Sequence, residues 1–190
     1  MKLKILCATA VALVGLPGIS QAEFNYTSVD FGYVDVDYDV GPVSISGDGF
    51  GVSGTYTVAD AFFIGGSYDD YGFDGGLDAE ILEIGGGYFH PMNATLDFVA
   101  TFSYLDTQLS SGGFNADDDG FGLGGGVRAA VSDGFEVEAM LDYVDFDKGD
   151  SDTGIELRGR YFFSDDFAVT AQIDLGKDIE TFRLGIRAQF

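Results

Sequence analysis

Very little in this sequence can carry covalent chemistry. The 190 residues include one cysteine, Cys7, one histidine, His90, and no tryptophan. A single thiol excludes an intrachain disulfide framework. A single imidazole leaves no histidine cluster for a metal and little scope for a Ser–His or Cys–His pair. Cations are scarce as well: 9 Lys and Arg stand against 32 Asp and Glu, a formal net charge of -23. That excludes binding through nucleic-acid phosphates, so no nucleic-acid partner is expected. Proline occurs only 3 times. What the chain has instead is glycine, 29 residues of it, with 18 Phe and 10 Tyr in a composition that is 46% hydrophobic. So apolar a chain is no acidic disordered tail, and its length suits one domain.

Met1 to Ala22 reads as a cleavable signal peptide. Lys2 and Lys4 give the positive start, Ile5 to Leu16 the apolar run, and Ser20-Gln21-Ala22 the small-x-small cleavage site. Cleavage after Ala22 removes the sole cysteine and two lysines, taking the net charge from -23 to -25. The domain expected to fold is 23–190. No other run approaches the ~20 apolar residues of a membrane helix.

From Phe24 onward the dominant period is two. Phe50, Val52, Gly54, Tyr56 and Val58 alternate with Gly51, Ser53, Thr55 and Thr57, and Leu96, Phe98, Ala100, Phe102 and Tyr104 alternate with Asp97, Val99, Thr101 and Ser103. The same holds for Phe121–Ala129, Phe135–Tyr143, Ile155–Phe163, Phe167–Leu175 and Phe182–Phe190. Phe62–Tyr68 and Leu82–Tyr88 alternate less sharply. The first segment, Tyr26–Tyr38, slips phase near Tyr33, which marks either a bulge or the edge of the apolar zone. Ten strands are predicted, and no span has helical periodicity. Short connections fall at 59–61, 90–94, 130–134 and 164–166. Longer Asp- and Gly-rich stretches near 39–49, 70–79, 106–119, 146–153 and 176–180 read as loops on the opposite side. Short turns on one side and long polar loops on the other predict an all-β, antiparallel, up-and-down transmembrane barrel in the outer membrane.

Alternation alone does not say which face is inside, because a soluble barrel turns its apolar face inward. The polar face here is rich in Gly, Ser and Thr with charges of both signs, which suits a lumen. The apolar face continues through all ten segments, and the chain ends on Phe190, preceded at every second position by Ala188, Ile186, Leu184 and Phe182.

The signal peptide, the alternating strands, the acidic loops and the terminal Phe190 together resemble small Gram-negative outer-membrane barrels of the OmpX, OmpW and PagP kind. Gly49-Phe50-Gly51-Val52-Ser53-Gly54 followed by Phe62-Phe63-Ile64-Gly65-Gly66-Ser67-Tyr68 looks like a hairpin of the short porin-like members. The resemblance covers the whole mature chain. It departs in strand count, eight in those barrels against ten here. It implies an outer-membrane lipid environment and recognition by the barrel assembly machinery through the C-terminal strand, with Phe182, Leu184, Ile186 and Phe190 as the signal. The barrel enzymes of that membrane would require a histidine at the outer rim, and His90 lies in a short turn at the other end. No enzyme activity and no cofactor are expected.

The inward charges are the candidate functional residues. Arg128, Arg158, Arg160, Arg183 and Arg187 fall on the polar face, as do Glu83, Asp97, Glu136, Glu138, Asp142, Glu156 and Asp174. An isolated charge is costly to desolvate, so an Arg–carboxylate network across the lumen is expected, with Glu138 neutralising Arg128 and Arg158 or Arg160. Met140 should face the lumen and accept a polar replacement. Inward glycines could leave water-filled space, while the arginines fill it again. The expected molecule is a monomer with a largely occluded lumen and a structural or surface-interaction role through its acidic loops. The alternative is a narrow porin-like channel with cation preference. Asn115-x-Asp117-x-Asp119-Gly120 matches half a calcium loop but has Gly126 at position twelve, and Asp35-x-Asp37-x-Asp39 has Gly41 one place late. Asp117, Asp118 and Asp119 are thus only weak candidates for holding divalent cations.

Overall fold

The computed structural model describes residues 24–40 and 43–190. The expected signal peptide and Gly41 lie outside them. Ten strands follow in chain order: β1 (Ser28–Val40), β2 (Val43–Ala59), β3 (Phe62–Phe73), β4 (Leu77–Asn93), β5 (Leu96–Ser111), β6 (Phe114–Ser132), β7 (Phe135–Phe146), β8 (Asp152–Phe162), β9 (Phe167–Leu175) and β10 (Ile179–Gln189). Each pairs antiparallel with its sequence neighbours, and β10 pairs with β1 to close the barrel. Closure leaves no sheet edge unpaired, so every ladder bond is made within the chain. Along the closing seam Ala188, Ile186 and Leu184 stand opposite Val29, Phe31 and Tyr33. The ten-strand expectation is met.

The outer wall shows which solvent the barrel is built for. Phe31, Val52, Ile64, Ile84, Phe102, Leu123, Leu141, Leu157 and Ile186 all point away from the lumen and are exposed. Such a band encircles the molecule, far beyond the few hundred Å² of contiguous apolar surface a soluble monomer tolerates. Aromatic pairs bound it. Toward the far rim, Tyr33 meets Phe50 at 5.8 Å between ring centroids and Tyr104 meets Phe121 at 5.6 Å. At the near rim, which carries the chain end Phe190, Phe62 meets Tyr88 at 5.3 Å and Phe163 meets Phe167 at 6.3 Å. Two aromatic girdles around an apolar band are the signature of a transmembrane barrel.

The placement of the loops needs correction. The stretches near 39–49, 70–79 and 106–119 are not loops, because the strands run through them. β1 and β2 stay paired up to Val40 and Val43. Gly112 and Gly113, both at positive φ (52° and 97°), join β5 to β6 in a two-residue turn. A Gly-Gly pair supplies the left-handed backbone such hairpins need. Gly75 and Gly76, also at positive φ, close the β3–β4 turn. β2, β4, β5 and β6 therefore reach 16 to 19 residues, well past the ~9–11 that cross a bilayer, whereas β7 to β10 have only 9 to 12. The barrel is tall on one side and short on the other.

Of the two readings of the phase slip near Tyr33, the bulge is excluded and the edge of the apolar zone is what is found. β1 holds one register against both neighbours throughout. What changes is the surroundings. Above the far girdle Asp35 points outward and Val34 and Val36 point inward, fully buried. They form an apolar cluster with Tyr71 and Ala79, onto which Phe73, Ile81, Leu109 and Ile179 pack. Polar-in and apolar-out thus gives way to apolar-in and acidic-out where the wall leaves lipid for water. Register shifts are confined to the near rim, at Thr57/Ala59, Pro91/Asn93 and Ala130/Ser132.

Met140 does face the lumen, but it packs in a second apolar cluster with Phe24, Tyr26, Val99 and Ala130, so a polar replacement there is not benign. Its neighbour Leu141 is 63% exposed on the outer wall. Leu141→Arg should destabilise the barrel by about 2–4 kcal/mol in lipid vesicles, whereas Asp142→Asn, on the inner wall, should cost far less. Denaturant titration of the refolded variants measures both, and the reverse order would mean that this strand is assigned inside out.

Candidate functional site

All five lumen arginines point inward, and each meets a carboxylate, although not always the one directly opposite. Arg128 on β6 stands in register with Glu138 on β7, yet its Nε and Nη2 both donate to Glu136 Oε2, at 2.9 and 2.7 Å. The expected Arg128–Glu138 pair is therefore replaced by a diagonal one. That frees Glu138 to accept from Arg160 Nη2 at 3.1 Å and to lie 3.8 Å from Arg158 Nη1. Arg158 is also held by Glu156 at 3.1 Å and by Gln172 Oε1 at 2.8 Å. Gln172 in turn donates to both Glu156 and Asp174, tying β8 and β9 into one network.

The remaining two arginines use partners that sequence reasoning missed. Arg187 binds both oxygens of Asp30, with Nη2 at 2.8 Å from Oδ2, and Arg183 lies 2.8 Å from Asp69. Asp30 was hidden by the supposed phase slip in β1, and Asp69 by its place next to a supposed loop. Counting by twos from Ser28 and from Ser67 puts both on the inner face. The Arg183–Asp69 pair lies against Gly51, where a Cβ would collide with both side chains. Similarly, the Phe63 ring covers Gly87 and Met140 covers Gly126. These three glycines make room for a neighbouring side chain, whereas Gly85 and Gly122 line open space in the lumen.

Also missed is what stops the near mouth. Phe24 and Tyr26 precede β1 and are buried in the lumen. Tyr26 reaches across to β3 and β4, stacking on Phe89 at 4.1 Å and Phe63 at 5.5 Å, and its hydroxyl donates to Asp97 Oδ2 at 2.9 Å. The Arg128 guanidinium lies 4.9 Å from the Tyr26 ring centroid and 5.0 Å from that of Phe24. Two inward aromatics in the phase of Ser28 were the available sequence signal.

Above this stopper lies a cavity of about 520 Å³. Its lining starts at Asn25 and Tyr26 and reaches the far rim at Asp152 and Gly176, beside the short β7–β10 side. Glu83, Asp142, Glu156 and Asp174 line its upper part, and among the described residues Glu83, Asp142 and Asp174 have no ion-pair partner. Carboxylates outnumber guanidiniums here, so the chamber carries a negative potential.

The weaker candidates fare as follows. Asp117, Asp118 and Asp119 lie on β6, and no group of three metal-ligating side chains is brought together among the described residues. Lys148 Nζ binds Asp117 Oδ2 at 2.6 Å, and that hydrogen bond holds the Asp117 carboxyl below its usual range. His90 sits near the end of β4, exposed and stacked on Tyr88.

No protein-family model matches the chain, and no curated protein matches it in sequence. Solved structures do match. An outer-membrane channel from Pseudomonas putida F1 aligns over 92% of this chain and 99% of its own, with 10% identity and a TM-score of 0.54. The chain has the outer-membrane β-barrel fold. Ail, the attachment invasion locus protein of Yersinia pestis, is similar over 87% of this chain and 99% of its own, at 14% identity and a TM-score of 0.45. The N-terminal β-barrel domain of OprF from Pseudomonas aeruginosa is similar over 88% and 100%, at 14% identity and a TM-score of 0.46. Outer-membrane barrels carry their longer connections on the outer side; here the hairpins that extend past the apolar band, those of β1 to β6, rise at the far rim, opposite the stopper.

Within the network Arg160 depends most on one partner. Its side chain is 2% exposed, and among the described residues its Nε and Nη1 have no hydrogen-bond partner and Glu138 is its one carboxylate. Glu138→Ala should therefore cost about 3–5 kcal/mol, because it leaves a buried guanidinium unpaired. Glu138→Ala with Arg160→Ala should recover a large part of that loss. Glu138→Ala with Arg128→Ala should recover less, since Arg128 keeps Glu136. Denaturant titrations of the three variants in vesicles give the comparison, and simple additivity of Glu138 and Arg160 would contradict the assignment.

Proposed function

We propose that the protein is a monomeric resident of the bacterial outer membrane, exported by cleavage after Ala22, whose barrel is closed to free diffusion and which acts through its acidic outer surface. The reading rests on one observation above all: the periplasmic mouth holds Phe24 and Tyr26 packed against Phe63, Phe89 and Met140, directly below the arginine network. A porin that exchanges solutes freely keeps a water-filled path from rim to rim. In this barrel the mouth below the chamber is filled by packed aromatic side chains and ion pairs.

The tall β1–β6 side supplies the outward surface. Asp35 stands opposite Asp48, Asp70 opposite Glu80, and Asp106 opposite Asp119, each pair just above a tyrosine of the far girdle. Like charges directly opposed in a sheet destabilise it, so such pairs favour a surface that meets cationic partners or divalent ions between anionic headgroups. The C-terminal residues Phe182, Leu184, Ile186 and Phe190 all face outward, as a signal read by the barrel assembly machinery would require. Catalysis is no part of this reading, since His90 lies exposed at the periplasmic end and no second base of its kind exists in the chain.

Planar-bilayer recording of the refolded chain lacking residues 1–22 tests the proposal. No steady unitary current should be resolved. Sustained currents in the unmodified protein would overturn the closed-barrel reading in favour of a narrow channel.

A further inference from the structure

We propose that Phe24–Thr27 is a removable plug, and that its withdrawal turns the blind chamber into a pore for small cations. The inference rests on the closed-barrel reading and adds to it that the closure is reversible at the periplasmic end.

The plug is held differently from everything around it. Ladder pairing of β1 with β2 and β10 begins at Ser28, so residues 24–27 belong to no strand. They are tied to the wall at a few points: Asn25 O accepts from Arg128 Nη1 at 3.0 Å, Thr27 O accepts from the Phe190 N–H at 3.1 Å, the Asn25 side chain donates to Phe190 O at 2.8 Å, and Thr27 Oγ1 accepts from the Thr57 N–H at 3.1 Å. The rest of the attachment is side-chain contact, dominated by the Tyr26 stack and the Arg128 guanidinium beside both rings. Segments with few backbone bonds and local packing open at a small fraction of the global unfolding cost.

The wall does not need the plug to remain intact. When the plug leaves, Arg128 keeps both bonds to Glu136, and the β3 to β7 ladder behind Phe63, Phe89 and Met140 is untouched. Asp97, released from the Tyr26 hydroxyl, stands in register with Arg128 and becomes wet together with it. The path above is already lined: the chamber runs from Tyr26 to the outer rim. Its carboxylates without an ion-pair partner among the described residues, Glu83, Asp142 and Asp174, set the sign of the solute, since acids lining a narrow low-dielectric passage favour cations and exclude anions.

The test is bilayer recording of the refolded chain lacking residues 1–22, with Phe24→Ser plus Tyr26→Ser, and separately with Tyr26→Phe. Folding is checked by heat-modifiable gel migration and β-sheet circular dichroism. The double variant should pass from no resolved openings to steady unitary currents, with a reversal potential in a KCl gradient of the sign for K⁺ over Cl⁻. Adding Asp142→Asn should lower that preference. Tyr26→Phe, which loses only the bond to Asp97, should show brief openings on a closed baseline. A folded double variant that stays silent overturns the plug as gate. Anion preference overturns the assigned solute class. Should the double variant fail to fold, a silent Tyr26→Phe overturns the gate. Steady current in the unmodified chain would instead overturn the closed-barrel reading underneath.

Discussion

Five guanidinium groups share the inside of a barrel whose outer wall is apolar, and each must find a carboxylate there because no low-dielectric interior tolerates a lone charge. Much else is arranged around that constraint. The arginines sit on β6, β8 and β10, and their carboxylates on β1, β3, β7 and β8, so the ion pairs stitch the barrel both along and across its wall. The long side chains need somewhere to lie. Gly51 lets Arg183 and Asp69 lie flat on the wall, where any Cβ would displace them. Diagonal pairing has the same origin: by reaching down to Glu136, Arg128 leaves Glu138 to the more deeply dependent Arg160.

The second organising feature is the change of solvent along the barrel axis. Between the girdles the outside is lipid, so apolar side chains face out. Above the outer girdle the outside is water, and the tall strands reverse their pattern with no break in register. Val34 and Val36 then build a small core inside the extension. Because only the β1–β6 side is tall, that core fills one half of the outer mouth, and the chamber emerges beside the short hairpins of the other half. On the closed-barrel reading proposed above, aromatic packing at the bottom and an asymmetric apolar cap at the top make the chamber a vestibule with one entrance.

The strand number, the membrane-facing stripe and the inward placement of the arginines were legible because a period of two survives every local irregularity. Partner choice was not. Alternation gives the face on which a side chain lies, but a long arginine can choose among three or four carboxylates, and only packing decides. The acidic, glycine-rich stretches misled for a related reason: composition suggested loops, while Gly112-Gly113 was a two-residue hairpin signal between strands whose outer faces are charged because they leave the membrane. Phe24 and Tyr26 read as the start of a strand, and nothing local says that a segment outside the ladder will fold back across the lumen.

Side-specific access to the chamber tests the account most directly. The chain without residues 1–22 contains no cysteine, so Thr101→Cys places a single thiol on the chamber wall. A membrane-impermeant thiol reagent should modify it when applied to the extracellular face and fail to do so when confined to the periplasmic face of oriented proteoliposomes. Modification from the periplasmic face at an equal or greater rate would contradict a vestibule closed at that end.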